Sequence, residues 1–368
     1  MALDDEIALA RREIVSDGYD MSIGELMNLY RDGEIKIQPE YQRLFRWDET
    51  RKTRFIESIL LGLPLPPVFV YQDAAGVWEL IDGLQRLSTV FEFAGVLRAP
   101  DGAPRDPSAL EGTRYLPGLT NKRWQPSADG SDDGIGGAQQ LQIKRARMRV
   151  EILKQESDPR AKYELFQRLN TGGDNLSEQE IRNCVGIMLN QPFQRWLSDL
   201  ADETGFRTTI SQTETAIERQ AHVELALRFL AFRHVPYKPG LDVHEYLDDA
   251  LFKLATQADF DRAAERDVFL NTFRVLNETM GSNAFKRWDG ANFGGKFLMS
   301  VFEVVALGTS KNLPAIEAMD APARSEFLRR KCTELWANPN FTQNSGAGVR
   351  GTSRLSNLLP MAEPFFKP

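Results

Sequence analysis

Apolar residues recur along this chain with two different periods, and the change between them divides it. The first part carries short, mixed runs. Ser22-Ile23-Gly24-Glu25 has the form of a capping box and predicts a short helix through Leu29. Glu34-Ile35-Lys36-Ile37 alternates polar and apolar, as a half-buried strand does. Trp47-Asp48-Glu49-Thr50 opens a helix whose Phe55, Ile56, Ile59, Leu60 and Leu63 share one face, and Gly62 and Pro64 end it. Val68–Tyr71 and Val77–Ile81 predict a hairpin, and a third helix follows Gly83 with Leu87, Val90, Phe91 and Ala94.

Residues 98–140 break the pattern. They are rich in Gly, Pro, Asp and Ser, and predict a mobile flap or a disordered insertion, with Tyr115 and Trp124 as candidate anchors. Order resumes over Leu141–Leu153, where Arg145, Arg147 and Arg149 alternate with Ala146, Met148 and Val150. On a strand that spacing puts the three arginines on one face, either as a solvated face or as one that meets DNA phosphates. From Asp158 the helical period takes over. Tyr163, Phe166 and Leu169 line one face, and Ser177-Glu178-Gln179-Glu180 is a second capping box. Val243 to Leu254, Phe269 to Met280 and Phe297 to Val305 carry further apolar stripes, which read as core. The tail from Asn338, rich in Gly, Asn, Ser and Pro, reads as irregular. The expected architecture is α+β over 1–155, with the insertion at about 98–140, followed by a mainly α-helical domain over 156–368.

Composition narrows the classes of function. The chain has 368 residues, 42% hydrophobic and 26% charged, as in an ordinary globular protein. Its 45 Lys and Arg against 52 Asp and Glu give a net charge of −7. That argues against a protein coating nucleic acid over its whole surface, though not against a local basic patch. Two cysteines, Cys184 and Cys332, exclude a disulfide scaffold and point to a reducing compartment. His222, His234 and His244 lack metal-ligand spacing, and none sits in the pattern of an HNH nuclease. No stretch approaches the ~20 apolar residues of a membrane-spanning helix. The expectation is a cytoplasmic protein without a membrane partner.

Two segments carry candidate chemistry. Ile37-Gln38-Pro39-Glu40-Tyr41-Gln42-Arg43-Leu44-Phe45-Arg46-Trp47 packs aromatics, arginines and amides into eleven residues. Gln42 and Arg43 offer planar arrays of donors suited to phosphate or a base edge, while Tyr41 and Trp47 suit anchoring. Leu80-Ile81-Asp82-Gly83-Leu84-Gln85-Arg86-Leu87-Ser88-Thr89 reads as strand, tight turn and helix start. A helix N-terminus can hold phosphate, and Arg86 would add a full charge. Asp82 could orient water or bind Mg²⁺, or could simply cap the helix.

Together the segments resemble the family called domain of unknown function 262. It is the N-terminal domain of GmrSD-type modification-dependent restriction systems, within the ParB/sulfiredoxin-like superfamily. The matching positions are Ile37, Pro39, Tyr41, Gln42, Arg43 and Trp47, then Pro64, Pro66 and Pro67, then Asp82, Gly83, Gln85, Arg86, Leu87 and Thr89. A third block runs from Phe166-Gln167-Arg168-Leu169-Asn170-Thr171-Gly172-Gly173 to Leu176, Ser177, Glu180, Arg182 and Asn183.

The resemblance implies a ParB-like fold and an NTPase that serves phage defence by restricting foreign DNA. Asp82, Gln85 and Arg86 would be catalytic. Tyr41, Gln42, Arg43, Gly83 and Asn170 would bind the nucleotide, and Asp82 would meet Mg²⁺ brought with the NTP. The implied partners are nucleotide, modified or phage DNA, and a separate nuclease subunit. Leu84 stands where the family has glutamine, which puts turnover in question. Two alternatives therefore stand beside this reading. One is a DNA-binding or nicking protein that ignores nucleotide and uses Arg43 with Arg145, Arg147 and Arg149. The other is a non-catalytic scaffold or immunity protein with a decayed pocket.

Overall fold

A computed structural model describes residues 16–37, 47–99, 101–154, 177–346 and 348–368. The chain divides into two units, Met1–Asn175 and Leu176–Pro368.

The first unit is built on β1 (Ser16–Ser22), α1 (Ile23–Arg31), β2 (Ile35–Lys36), α2 (Glu49–Leu60), β3 (Val68–Gln72), β4 (Trp78–Asp82), α3 (Leu84–Phe93), α4 (Gly137–Arg145) and β5 (Arg147–Leu153). The five strands form one sheet in the order β1-β5-β3-β4-β2. Strand β5 runs antiparallel to β1 and parallel to β3, while β3 and β4 form the expected antiparallel hairpin. Alternation sends Val68, Val70, Met148, Val150 and Ile152 to the core face. Strands β1 and β4 are three places apart in that order, roughly 14 Å in a flat sheet. Even so, the rings of Tyr19 and Trp78 lie 6.2 Å apart, so the sheet curls. The Ser22 hydroxyl caps α1 by accepting from the Glu25 amide at 3.2 Å.

Two local expectations need correcting. Residues 98–136 contain little regular structure, as their composition implies, but they are packed down. Leu110, Leu119, Trp124 and Ile135 are buried, and Trp124 sits edge-on to Phe93 at 5.7 Å. Arg105 reaches the buried Glu92 of α3 at 2.9 Å, and the Glu111 amide donates to Thr53 of α2. Tyr115, the other expected anchor, is 72% exposed. Secondly, Arg145 ends α4 rather than lying on β5. The chain turns extended at Ala146, and Lys144 and Arg145 occupy the last turn, where cations suit the helix dipole.

The second unit is helical: α5 (Glu178–Ala201), α6 (Thr204–Ile210), α7 (Glu214–Glu218), α8 (Ala221–His234), α9 (Val243–Thr256), α10 (Arg262–Met280), α11 (Met299–Lys311), α12 (Leu313–Glu317), α13 (Ala321–Glu334), α14 (Pro339–Asn344) and α15 (Gly351–Phe365). A short ribbon, β6 (Arg287–Trp288) with β7 (Phe293–Gly294), projects between α10 and α11. Both halves of the Ser177/Glu180 capping box form at the start of α5. Phe206, Phe229, Phe269, Phe273 and Phe302 pack in the centre of the unit. The tail is not irregular. Leu355, Leu358, Ala362 and Phe366 recur at helical spacing and bury against α11, where Gly308 lets the backbone of α15 approach closely. That burial outweighs the cost of Pro360 and Pro364 inside α15.

Arg182 on α5 is fully buried and fully engaged. Its Nε donates to Asp248 at 2.6 Å, its Nη1 to Gln179 at 3.2 Å and Glu224 at 3.4 Å, and its Nη2 lies 2.9 Å from His244 Nδ1. Glu224 also takes Arg228, and the buried Glu303 takes Arg354 through two bonds of 2.7 and 3.0 Å.

Candidate functional site

The DGLQR segment sits where β4 hands over to α3. Asp82 pairs with Phe69 of β3 and Leu80 with Val70, so Ile81 is an extra residue on β4. This bulge buries Leu80 and Ile81 in succession. It also sets Asp82 in a cross-strand row with Phe69 and, through β5, Glu151. Gly83 then takes φ 100° and ψ 13° as the N-cap of α3. A side chain there would meet both the left-handed strain and Val68, against whose Cγ1 an added Cβ would overlap. With glycine as N-cap, no side chain caps the helix amides.

One turn into α3, Arg86 folds back over this corner. Its Nη2 donates to Asp82 Oδ2 at 2.6 Å and to the Pro67 carbonyl at 2.9 Å. The two side chains keep only 19% and 24% of their surface exposed. Arg86 Nε is buried and has no hydrogen-bond partner among the described residues. Gln85 Oε1 accepts from the Trp47 amide at 3.1 Å, and Trp47 rests edge-on against Phe55 of α2. The end of the first motif is thus fastened to the middle of the second. Leu84, at the first helical position, is partly exposed and supplies no polar group. Tyr41, Gln42, Arg43 and Asn170 lie outside the described residues.

Arg147 and Arg149 do share the outer face of β5, with Glu151. Arg149 is not a free cation there. Its Nε donates to Glu151 at 2.8 Å, and that bond, with the nearby Asp20 and Asp17, holds its pKa above the usual arginine value. Gly18 of β1 leaves room for both side chains, since an added Cβ would clash with them.

Periodicity alone revealed neither β1 nor the role of Pro67. The signal for the latter was present in Pro64-Leu65-Pro66-Pro67, a stretch poor in amide donors that leads a free carbonyl to Arg86. Among the described residues no cluster of three or more His, Cys, Asp or Glu could hold a metal ion. A single carboxylate such as Asp82 suits Mg²⁺ that arrives already bound to other ligands. Cavities of about 710 Å³ beside Tyr237 and Leu359, and about 470 Å³ beside Thr53 and Glu111, are lined by neither Asp82 nor Arg86. Among the described residues, no helix is long and apolar enough to cross a membrane.

The sequence model of the family described as GmrSD restriction endonuclease, N-terminal domain, matches residues 23–185. That stretch runs from the start of α1 into α5 and contains all three motif blocks. No curated protein matches the chain. The family match supports a component of a restriction system, and hence of phage defence.

Proposed function

Taking a restriction-system N-terminal domain as the premise, we propose that this chain binds and hydrolyses a nucleoside triphosphate at the Asp82–Arg86 corner. One observation carries the reading. A largely buried arginine beside an uncapped helix start keeps a buried N–H without a partner among the described residues. Such a group costs about 1–3 kcal/mol unless something else pairs with it, and a ligand at this corner would pair with it.

A phosphate group suits this unpaired donor chemically. The first amides of α3 supply the partial positive charge of a helix N-terminus, and Gly83 allows the close approach of backbone. Arg86 can offer its Nε–H to phosphate while Nη2 stays on Asp82 and Pro67. Asp82 Oδ1, which accepts no bond among the described residues, is left to orient the attacking water or to meet the Mg²⁺ carried by the substrate. The ion would supply charge neutralisation at the phosphates, and the protein positioning. Gln85 acts here as the fastener of Trp47, the last residue of the motif that contains Tyr41, Gln42 and Arg43. Those three residues and Asn170 complete the proposed nucleotide site. DNA and a separate nuclease subunit are the proposed partners.

Phosphate release by the full chain tests the proposal. Arg86→Ala and Asp82→Asn should each lower it by about 10²-fold or more, with folding checked by thermal melting. Release undiminished by Arg86→Ala would sink the assignment. Leu84→Gln, which restores the family's amide, should raise release several-fold and leave the melting temperature nearly unchanged.

A further inference from the structure

The β6–β7 ribbon lies outside the family match and belongs to none of the motifs. Its base is fixed firmly. Phe285 is buried in the core, its carbonyl accepts from the Leu298 amide at 2.9 Å, and its ring meets Phe297 at 5.9 Å. Arg287 pairs with Gly294 and Trp288 with Phe293, and the last two rings pack 4.8 Å apart. At the tip, Asp289 folds its carboxylate onto the amides of Ala291 and Asn292, both at 2.8 Å, and so holds the turn.

The charge is one-sided. Lys286, Arg287 and Lys296 fall within eleven residues against one carboxylate. None of the three has a carboxylate partner among the described residues. Arg287 lies over the Trp336 ring, at 5.8 Å, and acts on the Asp289 carboxylate through its charge without an ion-pair contact. Arg329 of α13 reaches the Thr279 carbonyl just before the ribbon and adds to the same surface. The backbone is open as well, because an added Cβ at Gly290, Gly294 or Gly295 would have no neighbour within 4 Å. Unpaired cations on a stiff, projecting ribbon with bare backbone fit a regularly charged polyanion, whose phosphates they would track.

We propose that the ribbon over residues 286–296 is a contact site for the phosphate backbone of duplex DNA. The choice of DNA as the polyanion rests on the restriction reading, while the site itself is independent of the Asp82–Arg86 corner.

The test is binding of the full chain to a labelled duplex, followed by anisotropy across about 50 to 200 mM salt. Replacing Lys286, Arg287 and Lys296 together by glutamine should flatten the slope of log K against log salt by about 2–3, at about 0.9 for each phosphate no longer neutralised. Lys296→Glu alone should weaken binding more than Lys296→Gln. Replacing the exposed Lys238 and Lys253 by glutamine should change neither slope nor affinity. An unchanged slope in the triple variant, an equal effect of the control pair, or no duplex binding by the wild type would each overturn the proposal. Phosphate release separates it from the preceding one. Release that persists in the triple variant while the slope falls supports a separate DNA site. A slope that falls in a chain whose wild type releases no phosphate leaves the ribbon standing and removes the hydrolytic reading.

Discussion

Each unit buries an arginine against a carboxylate, and the two are employed in opposite ways. Arg182 in the helical unit is wholly enclosed, and each of its three nitrogens has a partner. Arg86 in the sheet unit is buried only in part, and it commits one nitrogen to Asp82 and Pro67 and leaves another without a partner among the described residues. A saturated guanidinium fixes the helices around it and has nothing left to offer a ligand. An undersaturated one bears desolvation at its buried N–H without compensation, and so invites a ligand to complete it. Burial alone would have ranked Arg182 as the more notable residue, whereas counting partners reverses that order.

Perturbing each unit sharpens the contrast, and the largest effect belongs to Arg182. Arg182→Ala strands Asp248 and Glu224 in the interior and should cost about 3–5 kcal/mol, read from urea unfolding. If it cost less than about 1 kcal/mol, saturation would not be the mark of a structural arginine. Gly83→Ala comes next, at about 1–3 kcal/mol from left-handed strain alone, with overlap against Val68 added. Differential scanning calorimetry would show it as a lowered midpoint.

Third is a dependence on pH that belongs to the helical unit. Burial near the start of α8 pushes the pKa of His222 down to about 4, against the weaker pull of Asp202. The unfolded chain, with an ordinary histidine pKa of about 6.5, then binds more protons between pH ~6.5 and ~4. Stability should therefore fall through that window as acid is added. His222→Gln should abolish a part of the loss on the order of 2 kcal/mol, measured as the difference between the two unfolding profiles. Smallest in stability is Arg86→Gln, at about 1 kcal/mol, because the pair is partly solvated. Its effect should fall on nucleotide-induced thermal protection instead. A variant that lost stability as heavily as Arg182→Ala would place Arg86 with the structural arginines.

Periodicity recovered the elements whose burial is local. Helices α2, α3, α9 and α10 show their apolar faces directly in the sequence, and so does the β3–β4 hairpin. It failed where partners far along the chain decide. Ser16–Ser22 is mostly polar and becomes a strand because β5 pairs with it. Gly137–Arg145 has little amphipathic character, although Ile143 is buried. Helix α15 contains two prolines and is held by its packing on α11. At the site, the Asp82, Gln85 and Arg86 side chains were legible as candidates. Their contacts were not, because the Pro67 carbonyl and the Trp47 amide are backbone groups: every residue type presents the carbonyl, and every type but proline the amide.

The start of α5 bears on how far this protein can be taken apart. The family match ends at residue 185, eight residues into that helix, yet Ile181, Arg182, Cys184 and Val185 are buried. The partners of Arg182 on α8 and α9 come some forty to sixty residues later. A boundary drawn by resemblance therefore cuts through a wall rather than a doorway. A fragment ending there would carry an orphaned arginine and a greasy half-helix, and its insolubility would say nothing about the chemistry of the sheet. Dissection, grafting or fusion of this module should instead cut before Ser177, leaving the capping box and its helix whole.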